Sequence, residues 1–190
     1  MRTTSGPPGF GPSAPGLGGR VRAVFLVGFM GAGKTSVGMA LAGRLGWRFE
    51  DLDQRIQARE KRTIEQIFRQ SGEAEFRRLE QEALRELLSS LGTSPRVVAL
   101  GGGAFVQPEN SALLESTGLP TVFLDASPEE LYRRCRQESV ERPLRKEEAE
   151  FQRLYQARRP HYLKAAVRVE TGGKTVEAVA AELAGTLGLP

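Results

Sequence analysis

Residues 21 to 36 read VRAVFLVGFMGAGKTS: an apolar run, glycines at 28, 31 and 33, then a lysine and two hydroxyl side chains. The run from Val21 to Val27 is rich in β-branched and aromatic residues and suits a strand buried on both faces. Gly28, Gly33, Lys34 and Thr35 satisfy G-x-x-x-x-G-K-[ST]. Backbone N–H groups and a helix N-terminus can surround phosphate only if no β-carbon blocks the approach, which is why glycines recur there. The stretch therefore predicts strand, loop and helix in that order, with Gly28, Gly31, Ala32, Gly33, Lys34, Thr35 and Ser36 as the residues that would bind a nucleoside triphosphate. Lys34 is placed to reach the β- and γ-phosphates and Thr35 to bind Mg²⁺. Gly38 and Met39 read as helix packing only, and Ser36 is expected to share in that packing.

A βα start of this kind constrains the remainder of the chain. Four more short apolar segments, Trp47 to Asp51, Val97 to Leu100, Thr121 to Leu124 and Val167 to Glu170, alternate with helical patterns. Helices are expected near Lys34 to Leu45, Asp53 to Glu60, Glu73 to Leu88, Glu109 to Glu115, Pro128 to Gln137, Glu148 to Ala157 and Val176 to Leu187. The alternation predicts an α/β fold, a five-stranded parallel sheet with helices on both faces, as one domain over residues 21–190. Residues 1–20 are half glycine and proline, and a disordered tail is expected, with a leader or an organelle-targeting segment as its readings. Residues 138–148, ESVERPLRKEE, are charged, hold Pro143 and lack apolar periodicity, which predicts a mobile lid.

The 27 basic and 23 acidic residues leave a net charge of +4, and the signs are finely mixed along the chain. Nucleic-acid binding, which favours basic stripes with interleaved aromatics, is not indicated. Small anions fit better. The single cysteine, Cys135, excludes an internal disulfide and a thiolate metal cluster, and no apolar run reaches the roughly 20 residues of a membrane span. A cytoplasmic monomer acting on small molecules is expected.

Three further stretches fall at the expected carboxyl ends of strands, where ligands of open α/β sheets collect. In FEDLD, strand alternation puts Asp51 and Asp53 on one face, one suited to hold Mg²⁺ through water and the other to accept a proton. Asp53 as a helix cap is the other reading. Gly101, Gly102 and Gly103 either offer N–H groups to a polar ligand or form a plain turn. In SGEAEFRRLE, Arg77 and Arg78 are either a solvated helix face or a grip on something negative, and Arg78 already has an i,i+4 partner in Glu82.

Together GFMGAGKT, DLD, IFRQSGEAEFRRLE, LGGGA, RPL and RRPHY stand in an order that resembles the shikimate kinases, in the nucleoside-monophosphate-kinase-like branch of P-loop proteins. The resemblance runs from about Val21 to the C-terminal residues. It implies phosphoryl transfer from ATP, with Mg²⁺, to the 3-hydroxyl of shikimate. It implies that Asp53 holds the acceptor hydroxyls and assists proton removal, that Asp51 belongs to the Mg²⁺ shell, and that Arg77 and Arg158 bind the substrate carboxylate with Glu80 steadying Arg77. Gly101 to Gly103 would bind ring hydroxyls, Phe68 and Phe76 would wall the pocket, Arg142 would descend with the lid onto phosphate, and Arg134 would stack on adenine. Arg77 and Glu80, three apart, share a helical face, whereas Arg78 points elsewhere. Arg158 stands before Pro160, where a helix is expected to end.

This chain departs from the family pattern at Arg145, where a second leucine is usual, and in a spacing from Arg134 to Arg142 one residue longer than expected. His161 fills a variable position and reads as structural. Two rivals share the phosphate loop: a kinase for another small molecule such as gluconate or a nucleotide, and a non-catalytic ATP-dependent switch.

Overall fold

The computed structural model describes residues 21–92, 94–137 and 148–190. Five strands, β1 (Ala23–Val27), β2 (Arg48–Asp51), β3 (Arg96–Ala99), β4 (Thr121–Asp125) and β5 (Val167–Glu170), form one sheet in the order β2-β3-β1-β4-β5. Every pairing is parallel. The three inner strands are buried at every position, so both faces of the sheet are covered. The helices that cover them are α1 (Lys34–Leu45), α2 (Leu52–Glu60), α3 (Ile64–Ser89), α4 (Pro108–Ser116), α5 (Pro128–Gln137), α6 (Glu148–Tyr162) and α7 (Val176–Thr186), with a 3₁₀ turn at Ala104–Val106. The chain steps from β1 outward to β2 and then crosses back to the far side at β4, which opens a crevice at the carboxyl ends of β1 and β3.

Strand boundaries move by one or two residues from the sequence expectation, and two helices differ more. Helix α3 begins at Ile64, well before Glu73. Thr63 caps it, its hydroxyl accepting from Gln66 N while the Gln66 side chain accepts from Thr63 N, so both orphan donors are satisfied. Gly72 interrupts the helix with φ 80°, ψ 174°, a conformation that hides the first segment from any search for one long periodicity. Helix α6 passes through Pro160 and ends at Tyr162. Phe151, Tyr155 and Tyr162 form one apolar stripe that packs on Phe29 and Phe123, and this contact outweighs the one N–H that proline removes near the helix end. Residues 1–20 and residues 138–147 of the lid expected at 138–148 lie outside the described residues, and Glu148 opens α6.

Candidate active site

The loop after β1 has the backbone that its glycines predict. Gly28, Gly31 and Gly33 have φ of 147°, 78° and 83°, and a β-carbon on Gly31 would stand 2.6 Å from Leu131 O. Gly33 is the N-cap of α1, with no side-chain cap and no acid in the first turn, so the positive helix end is not met by a side chain of its own. Lys34 Nζ donates to the carbonyls of Gly28 and Phe29, both at 2.9 Å, and lies across the loop. Ala32 is buried in the loop, while Thr35 and Ser36 are exposed at the start of α1.

Asp51 and Asp53 do not share a strand face. The strand ends at Asp51, which caps α2 by accepting from Asp53 N at 3.0 Å and Gln54 N at 3.3 Å. Its other oxygen accepts from Thr35 Oγ1 at 3.0 Å, joining the second strand to the phosphate loop. The capping role weighed for Asp53 belongs to Asp51. Asp53 stands in the first turn of α2, and its Oδ1 lies 2.6 Å from where a β-carbon on Gly101 would sit. Glu80 Oε1 lies 3.2 Å from that same point, so the missing side chain at Gly101 leaves room for two carboxyl groups.

Arg77 sits over Gly103, where a β-carbon would come within 2.5 Å of its Nη1. Its guanidinium donates to Glu80 Oε2 at 2.9 Å and to Glu73 Oε1 at 3.1 Å, and it lies 5.1 Å from the ring of Phe76. Phe76 packs against Phe68, with ring centroids 4.7 Å apart. Arg78 instead points outward, half exposed, and pairs with Glu75 and Glu82. Arg158 reaches the same pocket from α6, with Nη1 3.5 Å from Gly102 O and its guanidinium 5.9 Å over the Phe29 ring. The position of a β-carbon on Gly102 is 3.7 Å from both Gly28 O and Met30 N, which sets the glycine triplet directly on the phosphate loop.

Glu80 is fully buried, and burial pushes its carboxyl up to about 7; Arg77 opposes that rise and Asp53 adds to it. The tyrosine of RRPHY, Tyr162, is buried and donates its hydroxyl to Gly102 O, and burial raises its pKa. Asp53, Glu80, Arg77, Arg158 and the glycine triplet thus lie together beside the phosphate loop.

The shikimate kinase family profile matches residues 30–187. A shikimate kinase of Geobacter metallireducens is 46% identical over 171 residues, covering 88% of this chain and 92% of that protein. The chain belongs to the shikimate kinase family. A shikimate kinase from Acinetobacter baumannii, solved in complex with shikimate, superposes with a TM-score of 0.80 at 34% identity and covers 88% of this chain and 94% of its own. A gluconokinase from Sinorhizobium meliloti has a TM-score of 0.57 at 17% identity over 88% of this chain and 92% of its own, a likeness of fold alone.

In this member of the shikimate kinase family, Arg134 is engaged at its edges. Nε donates to Glu130 at 2.8 Å, Nη1 to Thr171 Oγ1 at 3.2 Å and Nη2 to Thr171 O at 3.0 Å. Arg142 and Arg145 lie outside the described residues. Two pocket contributors were not singled out from the sequence. Phe29, under Arg158, lies in the loop at a position the motif leaves open, whereas Tyr162 carried a signal in the last position of R-x-P-x-Y.

Proposed function

We propose that this chain is a shikimate kinase that transfers the γ-phosphoryl of ATP to the 3-hydroxyl of shikimate, releasing ADP and shikimate 3-phosphate. The observation that carries the reading is the convergence of Arg77, Arg158, Asp53 and Glu80 on glycines that pack against the phosphate loop. A guanidinium fork meets a planar carboxylate with two parallel hydrogen bonds, and two forks from different helices define its orientation. With the acid end held, Asp53 is the carboxylate left to orient the acceptor hydroxyl and take its proton as oxygen attacks the γ-phosphorus. The bond to the β-phosphate oxygen breaks, and Lys34 and Arg142 offset the charge on the group in transit. The loop N–H groups from Gly28 to Ser36 hold the phosphates, and Arg134, hydrogen-bonded at its edges to Glu130 and Thr171, stacks a planar face on adenine.

Thr35 Oγ1 and Asp51 Oδ2, 3.0 Å apart beside the loop, are the hard oxygen pair that suits Mg²⁺. Among the described residues there is no cluster of three or more acidic, histidine or cysteine side chains able to hold a metal, in keeping with an ion held largely by phosphate and water. When bound, Mg²⁺ supplies charge neutralisation at the phosphates. No helix of the described residues is long and apolar enough to cross a membrane. A cytoplasmic monomer formed by one domain, residues 21–190, completes the reading.

Coupled measurement of ADP release tests it. With an acceptor panel of shikimate, gluconate and nucleoside monophosphates, turnover is expected with shikimate. Arg158→Ala is expected to raise the shikimate KM at least about tenfold, the loss of one half-buried charged hydrogen-bonding partner, with the ATP KM little changed. Release of ADP that ignores shikimate would instead favour the ATP-dependent switch.

A further inference from the structure

The double arginine of RRPHY gives one residue to the pocket and sends the other elsewhere. Arg159 turns to Asp125, the last residue of β4 and only 2% exposed. Asp125 Oδ2 accepts from Arg159 Nη2 at 2.8 Å and from Arg168 Nε at 2.9 Å, and its Oδ1 lies 3.0 Å from the hydroxyl of Tyr155. That hydroxyl in turn accepts from Arg159 Nε at 3.0 Å. A buried carboxylate so enclosed by donors tolerates little displacement of any of them.

Two features make this cluster matter to its neighbour. Pro160 has no N–H to give, so the carbonyl of Gln156 lacks its usual partner and the turn that bears Arg158 is short of one rung. Arg158 itself forms no salt bridge to a described residue; its Nη1 lies 3.5 Å from Gly102 O and its guanidinium 5.9 Å over Phe29, and it faces Glu80 and the hydroxyl of Tyr162, which belongs to the same helix end. Its direction therefore depends on the rotation of α6, which carries both Arg158 and its partner Tyr162. Adjacent helical residues point about 100° apart, so fixing Arg159 on Asp125 fixes Arg158 toward Gly102.

We propose that Arg159 and Asp125 are a positioning pair that sets the rotation of the last turns of α6 and thereby aims Arg158 at the substrate carboxylate. The inference rests on the carboxylate-binding role of Arg158. Four variants of the full chain, Arg158→Ala, Arg159→Ala, Arg159→Lys and the double alanine, are compared by shikimate and ATP KM. Arg159→Ala is expected to raise the shikimate KM about fivefold, with the ATP KM within about twofold, and Arg159→Lys to recover part of the loss, since one ammonium can meet Asp125 but not Tyr155 as well. In the Arg158→Ala background, Arg159→Ala is expected to add nothing, because there is no side chain left to aim.

An unmoved shikimate KM in Arg159→Ala, multiplying effects in the double variant, or an ATP KM that rises in step would each overturn the pair while Arg158→Ala still shows its own defect. An Arg158→Ala without a shikimate defect would overturn the reading of the site, and the pair with it.

Discussion

Glu80 is the residue whose chemistry departs most from its exposed counterpart. It faces Arg77 on its own helix, Asp53 from α2 and Arg158 and Tyr162 from α6, and burial dominates, holding the carboxyl at about 7 against 4.5 for the ordinary group. The folded state therefore binds this proton more tightly than the unfolded chain, and the stability it gives is present below about pH 4.5 and is lost as pH rises through about 7. Glu80→Gln is expected to lose less stability than the parent between about pH 5 and pH 8, read as the difference between their denaturant midpoints at each pH. A substrate carboxylate placed beside Arg77 and Arg158 adds negative charge near Glu80 and favours its protonated form. Shikimate affinity is accordingly expected to weaken as pH climbs through about 7, and Glu80→Gln to flatten that slope in titration calorimetry.

Among the elements, α3 carries the acid-binding half and is built as two segments. The first is started by the Thr63 and Gln66 box, the second holds Arg77 and Glu80, and Gly72 joins them outside helical angles. Thr63→Ala removes an acceptor from Gln66 N and is expected to cost about 1 kcal/mol in chemical denaturation. Its effect on shikimate KM is expected to be small, because Arg77 belongs to the segment beyond Gly72 and takes its partners, Glu73 and Glu80, from that same segment. A shikimate KM that rose with the loss of the cap would show that the two segments move as one. Helix α6 follows the opposite rule: its local sequence predicts an end before Pro160, and aromatic packing on Phe29 and Phe123 carries it on to Tyr162.

At the scale of the molecule, the nucleotide half and the acid half are separate constructions that meet at the glycine triplet. The loop after β1 and Asp51 form the first, while Asp53, α3 and α6 form the second. Ligand-induced shifts in Tm are expected to divide the same way. ADP should stabilise both the parent and Arg77→Ala, whereas shikimate should stabilise the parent by about 2.7 kcal/mol at a hundredfold excess over Kd and leave Arg77→Ala nearly unmoved. Loss of the ADP shift in Arg77→Ala would mean that the two halves are not independent.

The phosphate loop was legible because its chemistry is contiguous: backbone angles, close approach and a helix start are all written between Gly28 and Ser36. The five parallel strands were legible for the same local reason, apolar runs of strand length between helical patterns. Arg77 with Glu80, three apart on one helix, could also be paired from spacing. Which aspartate caps α2 could not, because the choice depends on where β2 stops against β3 and on a hydroxyl from the phosphate loop. Nor could spacing alone predict the partnership of Arg159 with Asp125, 34 residues earlier, or the passage of α6 through Pro160. The sequence by itself determined the periodicities and the loop, since these rest on interactions between near neighbours. Only the tertiary structure decided which carboxylate faces which arginine, because that is set by the packing of helices on a twisted sheet, where a rotation of one residue exchanges a pocket contact for a structural one.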